Sequence, residues 1–315
     1  MFTYAVEQCD VKNKKQLQDY RDIVTKWRTW LDGEDIHSIS KQIFSLFWRD
    51  SVFRMVNELR KSASESPSEV VGFNGPVIGV FDAGFACVQA MTIRRLIEPQ
   101  WGRPDRAVVS LRALVDELIS QRELITREIY VSNNGLPYDY QEVYLRWLET
   151  PRNSAGCIPS EGPDAWGKSD MFHKSFDKLS GIKKDMRNRS DLVRPELLTA
   201  LRNRLAVCED VDTYTNKFIA HAADPDNRQH LTDDQDKLTL KKLDDCCKAI
   251  YLVANFVGAL VGKGGCISPI PRPQYDQLKY LDKKWATDVA LEMARTKWDE
   301  RVKETELWEN DLWPQ

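Results

Sequence analysis

The sequence predicts an all-α protein, an antiparallel helical bundle with an irregular insertion and a C-terminal helical extension. Apolar residues recur at three- and four-residue steps over most of the 315 residues, the spacing that lines one face of a helix. No segment shows a convincing period of two: VVGF (70–73) and REIYV (127–131) are long enough for short strands, but neither has an obvious partner. No repeat of about 20–50 residues is present, which disfavours a solenoid.

Leu17, Tyr20, Val24, Trp27 and Leu31 make a first stripe, ended at Gly33. Ile36, Ile39, Ile43 and Leu46 begin a second, continued by Phe53, Val56 and Leu59 up to the polar linker SASESPSE (62–69). Asn74-Gly75-Pro76 then opens a third helix, because proline's fixed φ suits a first turn. Its stripe is Val77, Phe81, Phe85, Val88, Thr92 and Leu96. Beyond the loop PQWGRPD (99–105), Val108, Leu111, Val115 and Leu118 form a fourth. From about Thr126 to Asp164 the pattern weakens into NNGLPYDY and PRNSAGCIPSEGPD, with a helix expected only over Tyr140 to Leu148. Helical periodicity resumes with Met171, Phe172, Phe176 and Leu179, closed by Gly181. Pro195 opens a long helix through Leu198, Leu201, Leu205, Cys208, Val211, Tyr214 and Phe218, ending before Pro225. Leu243, Cys247, Ile250, Ala254, Val257 and Val261 mark another, stopped by GKGG (262–265), and a charged helix carrying Leu278, Leu281, Trp285, Val289 and Trp298 follows. The expected organisation is one helical domain, with a core bundle over 15–262, a loop-rich excursion over 126–164 and an extension over 263–315.

Composition bounds the function. With 42% apolar residues the chain can build a sizeable core, and a net charge of −3 removes any global drive toward nucleic acid or anionic membrane. Seven scattered cysteines make no disulfide framework and no paired zinc motif, and adjacent Cys246 and Cys247 read as small core residues. The N-terminus lacks a signal-peptide pattern, and the longest apolar run, Ala249 to Val261, is short of the roughly 20 residues a membrane span needs. A cytoplasmic protein without membrane partners is expected. Tryptophans near the ends (Trp27, Trp30, Trp298, Trp308, Trp313) read as packing anchors.

Nucleotide-loop, zinc-protease, nucleophile-elbow and EF-hand motifs are all absent. GKGG follows a helix where phosphate loops precede one, so it reads as a C-cap. Histidine is the usual proton carrier near neutral pH, and the chain has four. His37 reads as a solvated first-turn residue and His173 as half of a surface pair with Asp177. His221, in TYTNKFIAHAADPDNRQH, is different: on helical spacing Lys217 and Asp224 share its face, while Phe218 points into the core with Tyr214. On that face Asp224 would orient the imidazole, His221 would move a proton and Lys217 would steady a negative charge. A solvated stripe with ordinary helix-end pairing explains the same spacing.

The segment NKFIAHAAD (216–224) resembles the HEPN superfamily of small helical bundles, in particular its subgroup linked to abortive infection. TIRRLIEP (92–99), VVSLRALVDEL (108–118) followed by LITREIYV (124–131), and FHKSFDKLSG (172–181) resemble that subgroup in the same order. The likeness spans roughly residues 15–262, with PRPQYDQLKYLDKKW (271–285) as an extension. It implies a bundle that pairs across the motif helix into a homodimer and, in catalytic members, a metal-independent endoribonuclease without cofactor. There an arginine four to six residues ahead of the histidine binds phosphate. Here His221 matches the histidine and Asn216 the polar residue, but Thr215 stands where the arginine belongs. Lys217 has charge without arginine's bidentate fork.

A basic stretch over 174–204, including Lys183, Lys184, Arg187, Arg189, Arg202 and Arg204, offers a local RNA patch or a solvated face. Three readings stay open: an RNA-directed HEPN-like ribonuclease using His221, Asn216, Lys217 and Asp224, a non-catalytic scaffold of the same fold, and a metal-binding bundle using His221, Asp224 and His173.

Overall fold

A computed structural model describes residues 2–65, 75–100, 102, 107–149, 159–262, 275–283 and 286–308. The protein is all-α: among these residues the only β-type pairing is an isolated antiparallel bridge between Thr126 and Leu192. The chain divides into two compact units, Met1–Ile270 and Pro271–Gln315.

The first unit opens with helix α1 (Lys14–Asp32), capped by the Asn13 side chain accepting from Gln16 N–H, which satisfies a donor the first turn leaves orphaned. Leu17, Tyr20, Val24, Trp27 and Leu31 are all buried, as the stripe requires. Helix α2 (Ile39–Glu65) starts later than the periodicity suggests, with Ile36 exposed ahead of it and part of the expected linker inside it. Helix α3 (Gly75–Ile97) is long and apolar enough to cross a membrane by composition, and only the minority of it that includes Phe85, Gln89, Ala90, Ile93 and Leu96 is buried in the bundle. Val77 and Val88 of the expected stripe are instead exposed. Helix α4 (Leu111–Ser120) begins at Ser110, whose hydroxyl accepts from Ala113 N–H and donates to the Glu98 carbonyl.

The start of the expected excursion is buried in the core. REIYV, a possible strand by sequence, is helix α5 (Arg127–Ser132), capped by Thr126 and buried along its whole length. Helix α6 (Tyr140–Glu149) and helix α7 (Trp166–Ser180) follow, and both α5 and α6 pack on α7. VVGF (70–73) lies outside the described residues. The motif segment then runs as α8 (Pro195–Leu205), a 3-10 turn (Ala206–Cys208), α9 (Glu209–Tyr214) and a π turn (Thr215–Ile219). A short helix α10 (Pro225–Arg228) leads to α11 (Leu240–Leu260). Helix α11 packs on α2, α3, α4 and α8, burying among others Leu243, Ile250, Val253 and Val257. Cys208, Cys246 and Cys247 are buried as small core residues, with burial and its neighbours pushing the Cys247 thiol up to about 12. In the second unit, helix α12 (Asp288–Leu307) is capped by Thr287 and carries the ion pairs Arg295–Glu292, Lys297–Glu300 and Arg301–Glu304. Trp285 and Trp313 lie outside the described residues.

What joins α5 to the rest is a charge that should be costly to bury. The Arg127 side chain is fully enclosed. Its Nε donates to Asp191 at 2.7 Å, Nη1 to Asp177 at 2.7 Å and to the His173 carbonyl at 3.2 Å, and Nη2 to Ser180 at 3.2 Å. The Arg127 and Glu128 N–H groups donate to the Asp191 and Arg189 carbonyls, so the 182–194 loop is stitched to α5. Removing one partner of such a pair leaves the other buried and unpaired, at a cost of about 3–5 kcal/mol. Arg127→Met is therefore expected to destabilise the protein by about that much in urea denaturation. Because the two residues share a pair, Arg127→Met with Asp177→Asn should cost less than the sum of the two singly, even though each keeps a second partner, Asp191 or Arg187.

Candidate functional site

At the motif helix the last turn is not α-helical. Ala220 N–H donates to the Thr215 carbonyl at 2.8 Å, an i→i+5 bond, and Ala223 N–H returns to the Lys217 carbonyl. A π turn widens the spiral, so residues four apart no longer stack. The expected Lys217–His221–Asp224 face is therefore not formed: His221 lies exposed past the helix end, and Asp224 is the N-cap of α10, accepting from Asp226 N–H. Lys217 and His221 make no side-chain hydrogen bond among the described residues.

Thr215, at the position the resemblance reserves for arginine, is fully buried, and its hydroxyl donates to the Val211 carbonyl at 2.6 Å. Tyr214 and Phe218 are half-buried and stack on each other at 4.8 Å; neither is fully in the core, contrary to expectation. Two guanidiniums nonetheless approach this segment. Arg94 of α3 pairs with Asp212 at 3.4 Å, and Asp212 stands one turn ahead of Asn216, whose amide favours the charged carboxylate. Burial holds the Asp212 carboxyl above the usual carboxylate range against the pull of Arg94. Arg228 lies over the Phe218 ring at 5.5 Å, its buried Nε without a hydrogen-bond partner among the described residues. Asp212 was not a sequence candidate; its one-turn spacing from Asn216 was the available signal.

The basic stretch separates into two kinds of residue. Arg187 is bidentate on Asp177 at 2.6 and 3.0 Å, and Arg189 binds Glu128 at 2.6 Å, Asp139 at 2.8 Å and Asp10 at 3.2 Å while lying 4.0 Å over Tyr138. Their donors are engaged with carboxylates of the protein itself. Arg202 reaches Asp116 at 3.4 Å, a largely exposed pair of little energetic weight. Lys183, Lys184 and Arg204 are exposed and make no ion pair among the described residues.

His173 also departs from expectation. It is buried, not a surface partner of Asp177, whose carboxylate serves Arg127 and Arg187. Its Nε2 lies 3.0 Å from the Tyr138 carbonyl, which fixes Nε2 as the donor, and the buried Nδ1 has no hydrogen-bond partner among the described residues. Burial lowers its pKa, reinforced by Arg187 and Arg127 and opposed by the Tyr138 carbonyl and Asp177. His173 is thus far from sharing a metal with the exposed His221 and Asp224, and among the described residues no three His, Cys, Asp or Glu side chains converge as a metal set.

Comparison with known proteins finds no matching family model, no matching curated protein and no matching solved structure.

Two outcomes follow. Since the folded-state pKa of His173 is depressed, the unfolded chain takes up that proton first, and stability is lost as pH falls through and below about 6.5. Urea midpoints at pH 7.5 and 5.5 should drop more for the wild type than for His173→Gln. Arg189→Ala should lower the melting temperature by several degrees, consistent with losing charged hydrogen bonds of about 1.5–3 kcal/mol, whereas Lys183→Ala and Lys184→Ala should leave it unchanged.

Proposed function

We propose that this protein is a HEPN-like bundle acting as a non-catalytic interaction or regulatory scaffold in a defence or stress response. The observation that carries the reading is Thr215: where RNA-cutting members of the resembled family place an arginine, this chain has a short side chain turned into the core and bonded to its own helix. Two further features agree. Asp224 is occupied in capping α10, and Arg187 and Arg189 are held by carboxylates. A base without a fixed phosphate-binding cation gives little stabilisation to a transferring phosphoryl group.

A second reading is favoured by Arg94, Asp212 and Asn216. Here a guanidinium from another helix pairs with Asp212, a carboxyl with a raised pKa one turn ahead of the polar Asn216. In that reading His221 acts as the base, Asn216 and Lys217 contact phosphate, and RNA is the partner, with a homodimer across the motif helix as the expected assembly. The test is incubation of the purified protein with structured and single-stranded RNA in chelator. The scaffold reading expects no cleavage above that of His221→Ala. Cleavage lost in both His221→Ala and Arg94→Gln, at unchanged melting temperature, would replace it with the ribonuclease.

A further inference from the structure

Away from the motif helix, the first unit holds a cavity of about 610 Å³, bounded by α1, α5, the start of α7 and the end of α11. That is within the range of small-molecule sites, roughly 300–1,000 Å³. Its walls carry aromatic rings from Tyr20, Tyr130 and Phe172, and two cations, Arg28 and Lys168, against one acidic side chain, Glu161. The N-terminal segment forms part of the wall and is held in place. Thr3 and Tyr4 N–H groups donate to Asn134 Oδ1 at 2.7 and 3.3 Å, and the Tyr4 side chain seats against Gly135 and Gly162. Both glycines are left-handed (φ +83° and +77°), and a Cβ on either would collide with Tyr4. The cavity is therefore a formed part of the fold.

Its electrostatics set it apart. The Phe2 ring lies against two guanidiniums, those of Arg21 (4.6 Å) and Arg28 (4.9 Å). Arg21 is buried, with Nε and Nη2 on the Asn133 carbonyl at 3.1 and 2.6 Å, and Arg28 places Nε and Nη2 on the Val261 carbonyl at 3.0 and 2.9 Å. Neither they nor Lys168 forms an ion pair among the described residues. Arg127, Arg187 and Arg189, enclosed elsewhere in the same unit, each have a carboxylate within 2.7 Å. Carbonyls satisfy hydrogen bonds but leave the net charge uncompensated, and a desolvated cation of this kind favours an anion beside it. The volume exceeds what an inorganic anion fills, and the aromatic walls suit a flat ring.

We propose that this cavity binds an aromatic phosphate of nucleoside monophosphate size, its phosphate held by Arg28 and Lys168 and its ring packed against the tyrosines. The site does not depend on the scaffold or the ribonuclease reading. The test is calorimetric titration and thermal melting of the full-length protein with AMP, GMP, CMP and UMP, with adenosine and inorganic phosphate as the separate halves. At least one monophosphate is expected to bind one to one and raise the melting temperature beyond either half. Losing a charge-assisted contact should weaken it by about tenfold or more. Lys168→Glu, at an exposed position, should show that loss with an unchanged apo melting temperature, and Arg28→Gln should show it too. Phosphate or adenosine binding as tightly as every monophosphate, no binding by any of the four, or undiminished binding in Lys168→Glu would each overturn the proposal.

Discussion

The architecture of the first unit depends on one buried cation. Arg127 is enclosed between α5 and α7 and faces Asp177 and Asp191, so the segment most irregular in sequence is bound to the bundle by charge and not only by apolar packing. The same carboxylate of Asp177 also receives Arg187, and hydrogen bonds from Arg187 and Arg127 overcome the effect of burial and hold it below the usual carboxylate range. A second cluster beside it, Arg189 with Glu128 and Asp10, ties the same loop to α5 and to the N-terminal segment. Buried pairs of this type need not add net stability over an apolar core. Their consequence is geometric: the 182–194 loop has one place to go, and α8, which begins at Pro195, starts from it.

The helical fold was legible because its signals are local. Stripes at Leu17 to Leu31 and Leu243 to Val261, the opening at Pro195 and the stop at Gly181 all follow from spacing and backbone preference within a few residues. What escaped was settled by distant partners. REIYV has the composition of a strand, yet it is a helix because Arg127 finds carboxylates some 50 and 64 positions away and Ile129 and Val131 find the core. His173 and Asp177 stand at pairing distance on one helix, but Arg127 and Arg187 take the carboxylate and leave the imidazole to Tyr138.

The candidate site was legible in its residue types and not in its geometry. Spacing arithmetic assumes 3.6 residues per turn, and one π turn at Thr215–Ile219 breaks that assumption at the place where it was used. The π turn opens at a buried Thr215 bonded back to Val211, and the helix ends before Pro225, whose ring cannot continue it. Asn216 keeps its one-turn relation to Asp212, which lies before the wide turn, and loses its regular relation to residues after it.

A net charge of −3 conceals how unevenly the arginines are matched. Those over 187–189 lie among acids and act as structural clamps, whereas Arg21 and Arg28 on α1 rest on carbonyls and one phenyl ring. Sequence counts cannot separate the two groups, since a guanidinium's counterion is a matter of three-dimensional neighbours. The distinction matters for function because charge already neutralised has little left for a ligand, while charge satisfied only by dipoles still exerts its field. By that criterion Arg187 and Arg189 in the basic stretch are spent, while the less conspicuous arginines of the first helix keep a charge that no carboxylate neutralises.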